Sequence, residues 1–173
     1  MFRISQLPSS SSIRLSSMKS ILSFFFLFLF AVAISTAQDS RFVPVSKVVD
    51  GDTFWVKHPN GTEEKIRLIG VDSPEARRTG RTDVEYFGKE SSDFAKRILS
   101  GKKVRLEYDV QRYDRYRRTL AYVYLEDGTF FNALLVREGF ALVATFPPNV
   151  KYEALFLKEQ QHAQKLKKGL WAK

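Results

Sequence analysis

Beyond residue 41, apolar and polar residues alternate in short runs, and each run stops at a turn sequence. Val43 to Val49 and Thr53 to Lys57 are rich in β-branched and aromatic residues. They end in Asp50-Gly51 and in His58-Pro59-Asn60-Gly61, which predicts a hairpin or meander. Glu64 to Val71 reads as one further strand, with Ile66, Leu68 and Gly70 on one face and Arg67, Ile69 and Val71 on the other. The period then changes. After a polar, basic loop at Ala76 to Asp83, the apolar residues Phe87, Phe94, Ala95, Ile98 and Leu99 recur at helical spacing, and Gly101 follows as a stop. Lys103 to Tyr108 and Arg118 to Leu125 return to strand alternation on either side of a charged turn. Asn132 is placed to cap a short helix through Glu138 that stops at Gly139. Tyr152 to Lys168 lines up Tyr152, Leu155, Phe156, Ala163, Leu166 and Leu170 on one stripe and leaves its lysines on a solvated face. Short strands mixed with three helices predict a small closed β-barrel with helices packed beside it.

The start of the chain has a different composition. Residues 1–37 hold Arg3, Arg14 and Lys19, no acid, many serines, and the apolar run Ile21 to Ile34 before Ser35-Thr36-Ala37. A basic lead, an apolar centre of this length and small residues at its end are the three regions of a secretory signal peptide, so cleavage near Ala37 and a secreted or periplasmic product are expected. A retained anchor needs roughly 20 apolar residues, more than this run provides. An organelle transit peptide, and a start at Met18, remain alternatives. Residues 38–173 are then the one folded domain, as a 173-residue chain that is 44% hydrophobic allows.

Charge narrows the partners. The chain has 28 Lys+Arg against 19 Asp+Glu, and losing the leader removes only basic residues, so the domain keeps a surplus of about six positive charges. Such a surplus favours polyanions, anionic membranes or plain solubility. The absence of cysteine excludes a thiolate nucleophile, a cysteine-based zinc site and disulfide support. His58 and His162 have no metal-ligand spacing.

Against that background five short stretches carry chemistry: Asp50-Gly51-Asp52-Thr53, Arg67, Asp72-Ser73-Pro74-Glu75, Tyr116 and Arg118. Asp-Gly-Asp and Asp-Ser-Pro-Glu are ordinary turn sequences when taken singly. Each, however, terminates a strand of the same small sheet, so the carboxylates of Asp52 and Asp72 can converge on one cavity mouth. Two carboxylates supplemented by carbonyls and water form a hard-oxygen site that suits calcium better than zinc. With no cysteine and no suitable histidine, the general base is a carboxylate, and Glu75 lies three residues after a candidate ligand. An arginine inside a strand is costly if idle. Arg67 and Arg118 form the natural pair for a phosphate, because a guanidinium makes two parallel charge-assisted bonds that lysine cannot imitate. The run Arg112 to Arg118 interleaves bases with tyrosines, either as an exposed charged turn or as a platform on which nucleobases stack.

In the order and spacing of these segments the chain resembles the thermonuclease, or staphylococcal-nuclease-like, family from about Val43 to Trp171. The resemblance implies an α+β fold, a five-stranded OB-type β-barrel with three packed α-helices. It implies calcium-dependent endonuclease cleavage of DNA and RNA to products with 3′-phosphate ends, single strands being favoured, by a monomer. Carried over by motif, Asp52, Asp72 and the backbone carbonyl of Ser73 correspond to calcium ligands, Glu75 to the water-activating carboxylate, and Arg67 and Arg118 to the phosphate-binding arginines. Arg115 and Tyr116 correspond to nucleotide-contacting positions. Two departures stand out. Arg117 replaces a glycine of the family pattern, and the loop Ala144-Thr145-Phe146-Pro147-Pro148 is shorter and lacks the tyrosines that line the base pocket. A noncatalytic nucleic-acid-binding OB-fold module is the alternative, and degenerate modules of that kind would be expected to lose one of Asp52, Arg67, Glu75 or Arg118. A basic exported protein that coats anionic surfaces would explain the charge but not the converging acids.

Overall fold

Five of the predicted β-runs close on one another. In the computed structural model, which describes residues 41–78 and 83–172, β1 (Phe42–Val48), β2 (Thr53–Lys57), β3 (Glu63–Leu68), β5 (Lys103–Glu107) and β6 (Thr119–Leu125) form a closed barrel in the order β1-β2-β3-β6-β5. The expected leader lies outside the described residues. All neighbours in the barrel are antiparallel except β3 and β6, which run parallel with Arg67 opposite Leu120. A parallel pair needs a long crossover. Here it contains β4 (Gly70–Asp72), α1 (Gly88–Leu99) and β5.

Alternation works as expected inside the barrel, where Phe54, Val56, Ile66, Leu68, Val104, Ala121 and Val123 are buried. It fails at the end of the third run. Glu64 to Val71 is not one strand: Gly70 adopts φ 77°, and β4 leaves the barrel to pair with β7 (Leu142–Ala144), a strand with no clear signal in the sequence. A side chain at Gly70 would be 2.5 Å from the ring of Phe156, so close packing as well as the left-handed backbone demands glycine there. Because of this break, Ile69 and Val71 are buried among the helices and do not line an outer barrel face.

The helices α2 (Phe131–Arg137) and α3 (Glu153–Lys165) pack against each other and cover the β4 side of the barrel with Phe131, Leu135, Val136 and Phe156. Asn132 does not cap α2. The helix starts one residue earlier, and the buried Asn132 amide donates to the carbonyl of Ile69 at 2.9 Å and accepts from the N–H of Val123 at 2.9 Å. A buried amide that satisfies two strands is worth more there than at a solvated cap. The α3 stripe is also shorter than expected. The helix ends at Lys165, which leaves Leu166 exposed, and the chain continues into a 3₁₀ turn at Gly169–Trp171.

Candidate active site

The Asp50 to Thr53 loop is tight. The N–H groups of Val49 and Asp50 both donate to the carbonyl of Thr53, at 2.9 and 3.0 Å. Gly51 is required by packing as well as by the turn, since a Cβ there would lie 2.2 Å from Ser73 Oγ. This contact brings the two acidic loops together. Asp52, only 8% exposed at its side chain, accepts from the Thr53 hydroxyl at 3.0 Å on one oxygen and from the Ser73 N–H at 2.8 Å on the other.

Register places Arg67 opposite Thr53, and the bend at Gly70 returns the chain so that Asp72 faces Arg67. The Arg67 guanidinium lies between the two acids. Its Nη1 is ion-paired with Asp52 Oδ2 and its Nη2 is 2.5 Å from Asp72 Oδ1. Burial pushes the Arg67 pKa down from its usual value, Asp72 works against that, and the charge of Arg118 adds to it. Arg67 Nη1 is ion-paired with Asp52 but has no acceptor in aligned hydrogen-bond geometry.

Two carboxylates aimed at one buried cationic point, with serine and threonine around them, are a hard-oxygen donor set. No cluster of three or more His, Cys, Asp or Glu side chains that could hold a metal exists among the described residues, so any cation here would take most of its ligands from carbonyls and water. That composition fits calcium, which accepts six to eight oxygens in flexible geometry, and does not fit zinc.

Glu75 is held by its backbone. Its N–H donates to the Glu85 carboxylate at 3.0 Å and its carbonyl accepts from the Glu85 N–H at 2.9 Å. Burial, followed by a carboxyl–carboxyl hydrogen bond with Asp50 and the charges of Asp50 and Glu85, pushes Glu75 up to about 7, against the opposing charge of Arg67. A carboxylate poised near neutrality is suited to taking a proton from water. Asp50, which belongs to a chemistry-bearing stretch but had no role of its own in the sequence, adds to that rise after burial.

Arg118 is fixed by Asp114. That carboxylate accepts from Arg118 Nε at 2.6 Å, from the Arg118 N–H at 2.9 Å and from the Tyr116 N–H at 2.9 Å. Burial pushes Asp114 up, but the hydrogen bonds from Arg118 and Tyr116 outweigh it and leave the group below the usual aspartate value. Asp114 was not singled out in the sequence, although an aspartate two residues before a tyrosine and four before an arginine is a recognisable Asx-turn pattern. The same turn carries Arg117 in the left-handed region at φ 60°.

These elements enclose a cavity of about 580 Å³ whose wall contains Arg67, Asp72, Arg115, Tyr116, Arg118 and Phe146. Asp52, Ser73 and Glu75 are not part of that wall; Asp52 joins it through Arg67. Phe146, 74% exposed, supplies an aromatic ring on the loop that lacks tyrosines. The chain just after that loop is tied to Gln111, the residue before the Arg112 to Arg118 segment, by the buried Asn149, whose amide exchanges two hydrogen bonds of 2.8 Å with the Gln111 backbone.

A family model described as Staphylococcal nuclease homologue matches residues 65–173, well over half of the chain. The chain belongs to the staphylococcal nuclease family. It is 45% identical over 142 residues to a thermonuclease of Staphylococcus hyicus, covering 82% of each sequence. It is also 45% identical over 127 residues to a thermonuclease of Staphylococcus intermedius, covering 73% of this chain and 74% of that one. The SPbeta prophage-derived endonuclease YokF of Bacillus subtilis (strain 168) is 37% identical over 133 residues, which are 76% of this chain and 44% of that protein. The closed barrel with three α-helices among the described residues is the fold of this staphylococcal nuclease homologue, as the sequence led one to expect.

Proposed function

We propose that the chain is a secreted, calcium-dependent endonuclease that hydrolyses phosphodiester bonds of DNA and RNA and leaves 3′-phosphate products. The observation that supports it best is the guanidinium of Arg67 shared by Asp52 and Asp72 at the wall of a cavity that also contains Arg118. Two guanidiniums and a carboxylate on one cavity wall are groups that can neutralise the charge of a phosphodiester.

Asp52, Asp72 and the carbonyl of Ser73 would hold calcium, which supplies Lewis-acid neutralisation of a phosphate oxygen. Glu75 takes a proton from water as the water oxygen bonds to phosphorus. Arg67 and Arg118 bind the non-bridging oxygens and stabilise the added negative charge. The bond from phosphorus to the 5′-oxygen breaks, with Arg118 donating a hydrogen bond to the departing oxygen, which takes its proton from solvent. Arg115 and Tyr116, exposed at the cavity rim, contact the neighbouring nucleotide. Proton transfer contributes about 10² to 10⁴ in rate, so charge stabilisation by the arginines supplies much of the rest.

Residues 1–37 act as the export signal in this proposal, which N-terminal sequencing of the secreted product would check. The activity is tested by incubating the purified protein with DNA and RNA, with calcium or with chelator. Cleavage that requires calcium and is lost in Glu75→Ala, Arg118→Ala and Arg118→Lys is expected. A salt-sensitive gel shift without cleavage would instead make the chain a binding module.

A further inference from the structure

A second cavity, of about 620 Å³, has no part in the chemistry above. It opens where β1 begins and where β2 and β5 end, and its walls are Arg41, Val43, His58, Arg105, Leu106 and Tyr108. That volume is within the range of small-molecule ligand sites. Its lining combines cationic heads with an aromatic ring over an aliphatic floor.

The guanidinium groups around it are layered on aromatic rings. Arg112 lies 3.5 Å from the ring centre of Tyr108 and Arg105 lies 4.1 Å from that of Tyr124. A guanidinium whose face is covered by a ring still offers its edge N–H groups to phosphate, and alternating rings and guanidiniums are the platform on which a single strand stacks. Each of these cations also has an acid nearby. His58 pairs with Glu64 at 2.8 Å, Arg112 lies 3.9 Å from Glu64, and Glu107 is shared by Lys151 at 2.7 Å and Arg105 at 3.8 Å. With Asp109, which accepts from the Lys151 N–H at 3.4 Å, three permanent cations meet three carboxylates there, so the site binds through guanidinium edges and rings and not through net charge.

Continuity gives the ligand. Tyr108 lines the second cavity, while Gln111, Arg115, Tyr116 and Arg118, further along the same segment, line the first. Arg112, whose guanidinium lies over Tyr108, and Tyr113 are exposed on that segment just past Gln111. We infer that the second cavity is a distal subsite for the same nucleic-acid strand, taking a nucleotide several positions from the scissile bond, with the exposed Arg112 and Tyr113 as the track between. The inference rests on the nuclease reading of the first cavity.

The chain has two histidines, one in this cavity and one, His162, on α3, so the imidazole NMR spectrum contains both a probe and its own control. The purified protein in chelator is titrated with a thymidine dinucleotide and with a twelve-thymidine strand, binding being followed in parallel by fluorescence anisotropy. The long strand is expected to shift His58 and leave His162 in place, and the dinucleotide to shift neither. Arg112→Ala is expected to weaken the long strand about tenfold more than the dinucleotide and to lower the log–log salt slope by about 0.7, one phosphate contact on a single strand. If the long strand binds and is cut on adding calcium while His58 does not move and Arg112→Ala shows no length dependence, the distal subsite is wrong and the nuclease reading stands. If neither strand binds or is cut, both fall together.

Discussion

Gly88→Ala isolates the way the fold holds the candidate base. Gly88 opens α1 without a left-handed backbone, so its dihedral angles alone do not demand glycine. Here a Cβ would lie 2.2 Å from the carbonyl oxygen of Glu75 and 2.6 Å from its carbonyl carbon. Carbon pairs settle near about 3.5 Å, so the contact at 2.6 Å falls short by about 0.9 Å. The obstacle is backbone, and it cannot swing aside, because both the N–H and the carbonyl of Glu75 are tied to Glu85. Overpacking of this kind costs about 1–3 kcal/mol. The protein therefore stays folded, given a stability of about 5–15 kcal/mol for domains of this size. Activity should fall much further, about 10²-fold, because the base is displaced by nearly an ångström. Urea unfolding and initial rates on single-stranded DNA with calcium measure the two effects separately. Lys89→Ala, the next residue, whose exposed side chain pairs with Asp93, serves as the control. A Gly88→Ala protein with a rate within about twofold of the wild type would refute the positioning of Glu75 by this contact.

Asp114→Ala removes the acceptor of three hydrogen bonds that orient Tyr116 and Arg118, so it should cost about 1–3 kcal/mol in stability and about 10²-fold in kcat/KM on a single strand. Unchanged kcat/KM would mean that Arg118 finds its position without it. Arg117→Gly relieves a left-handed non-glycine residue and should raise stability by about 1 kcal/mol in a denaturant titration; a lower midpoint would contradict the strain. For Glu107, burial raises the carboxyl, but the hydrogen bonds from Lys151 and Tyr152 and the charge of Arg105 outweigh it, leaving it below the ordinary glutamate value. A depressed folded pKa contributes stability that is present above the ordinary carboxyl range and lost as pH falls through the folded value. Glu107→Gln should therefore flatten the loss of thermal stability on acidification, and an identical pH profile would count against this pairing.

How far the sequence reaches differs from element to element. The barrel strands and α1 were legible because their signals, period-two alternation and helical spacing closed by Gly101, are local. By sequence Asn132 reads as a cap, since a helix-start asparagine usually serves its own helix; only the neighbouring carbonyl of Ile69 and N–H of Val123, 63 and 9 residues away in sequence, give it its partners. Strand β7 was missed because Leu142–Ala144 is three residues long and exists by pairing with β4. Phe146 was overlooked for its position in a loop defined by the tyrosines it lacks.

For the candidate site, the sequence by itself determined the chemistry available: oxygen donors without sulfur or paired histidines, a carboxylate in the role of base, guanidiniums for an anion. These follow from residue identity, which needs no coordinates. Only the tertiary structure decided how the groups meet. The break at Gly70 turns Asp72 back onto Arg67, the fit of Gly51 against Ser73 joins two loops 22 residues apart in sequence, and Gly88 sets the carbonyl of Glu75. Each of these depends on atoms distant in the chain approaching within van der Waals contact, and no local period records which backbone will be near.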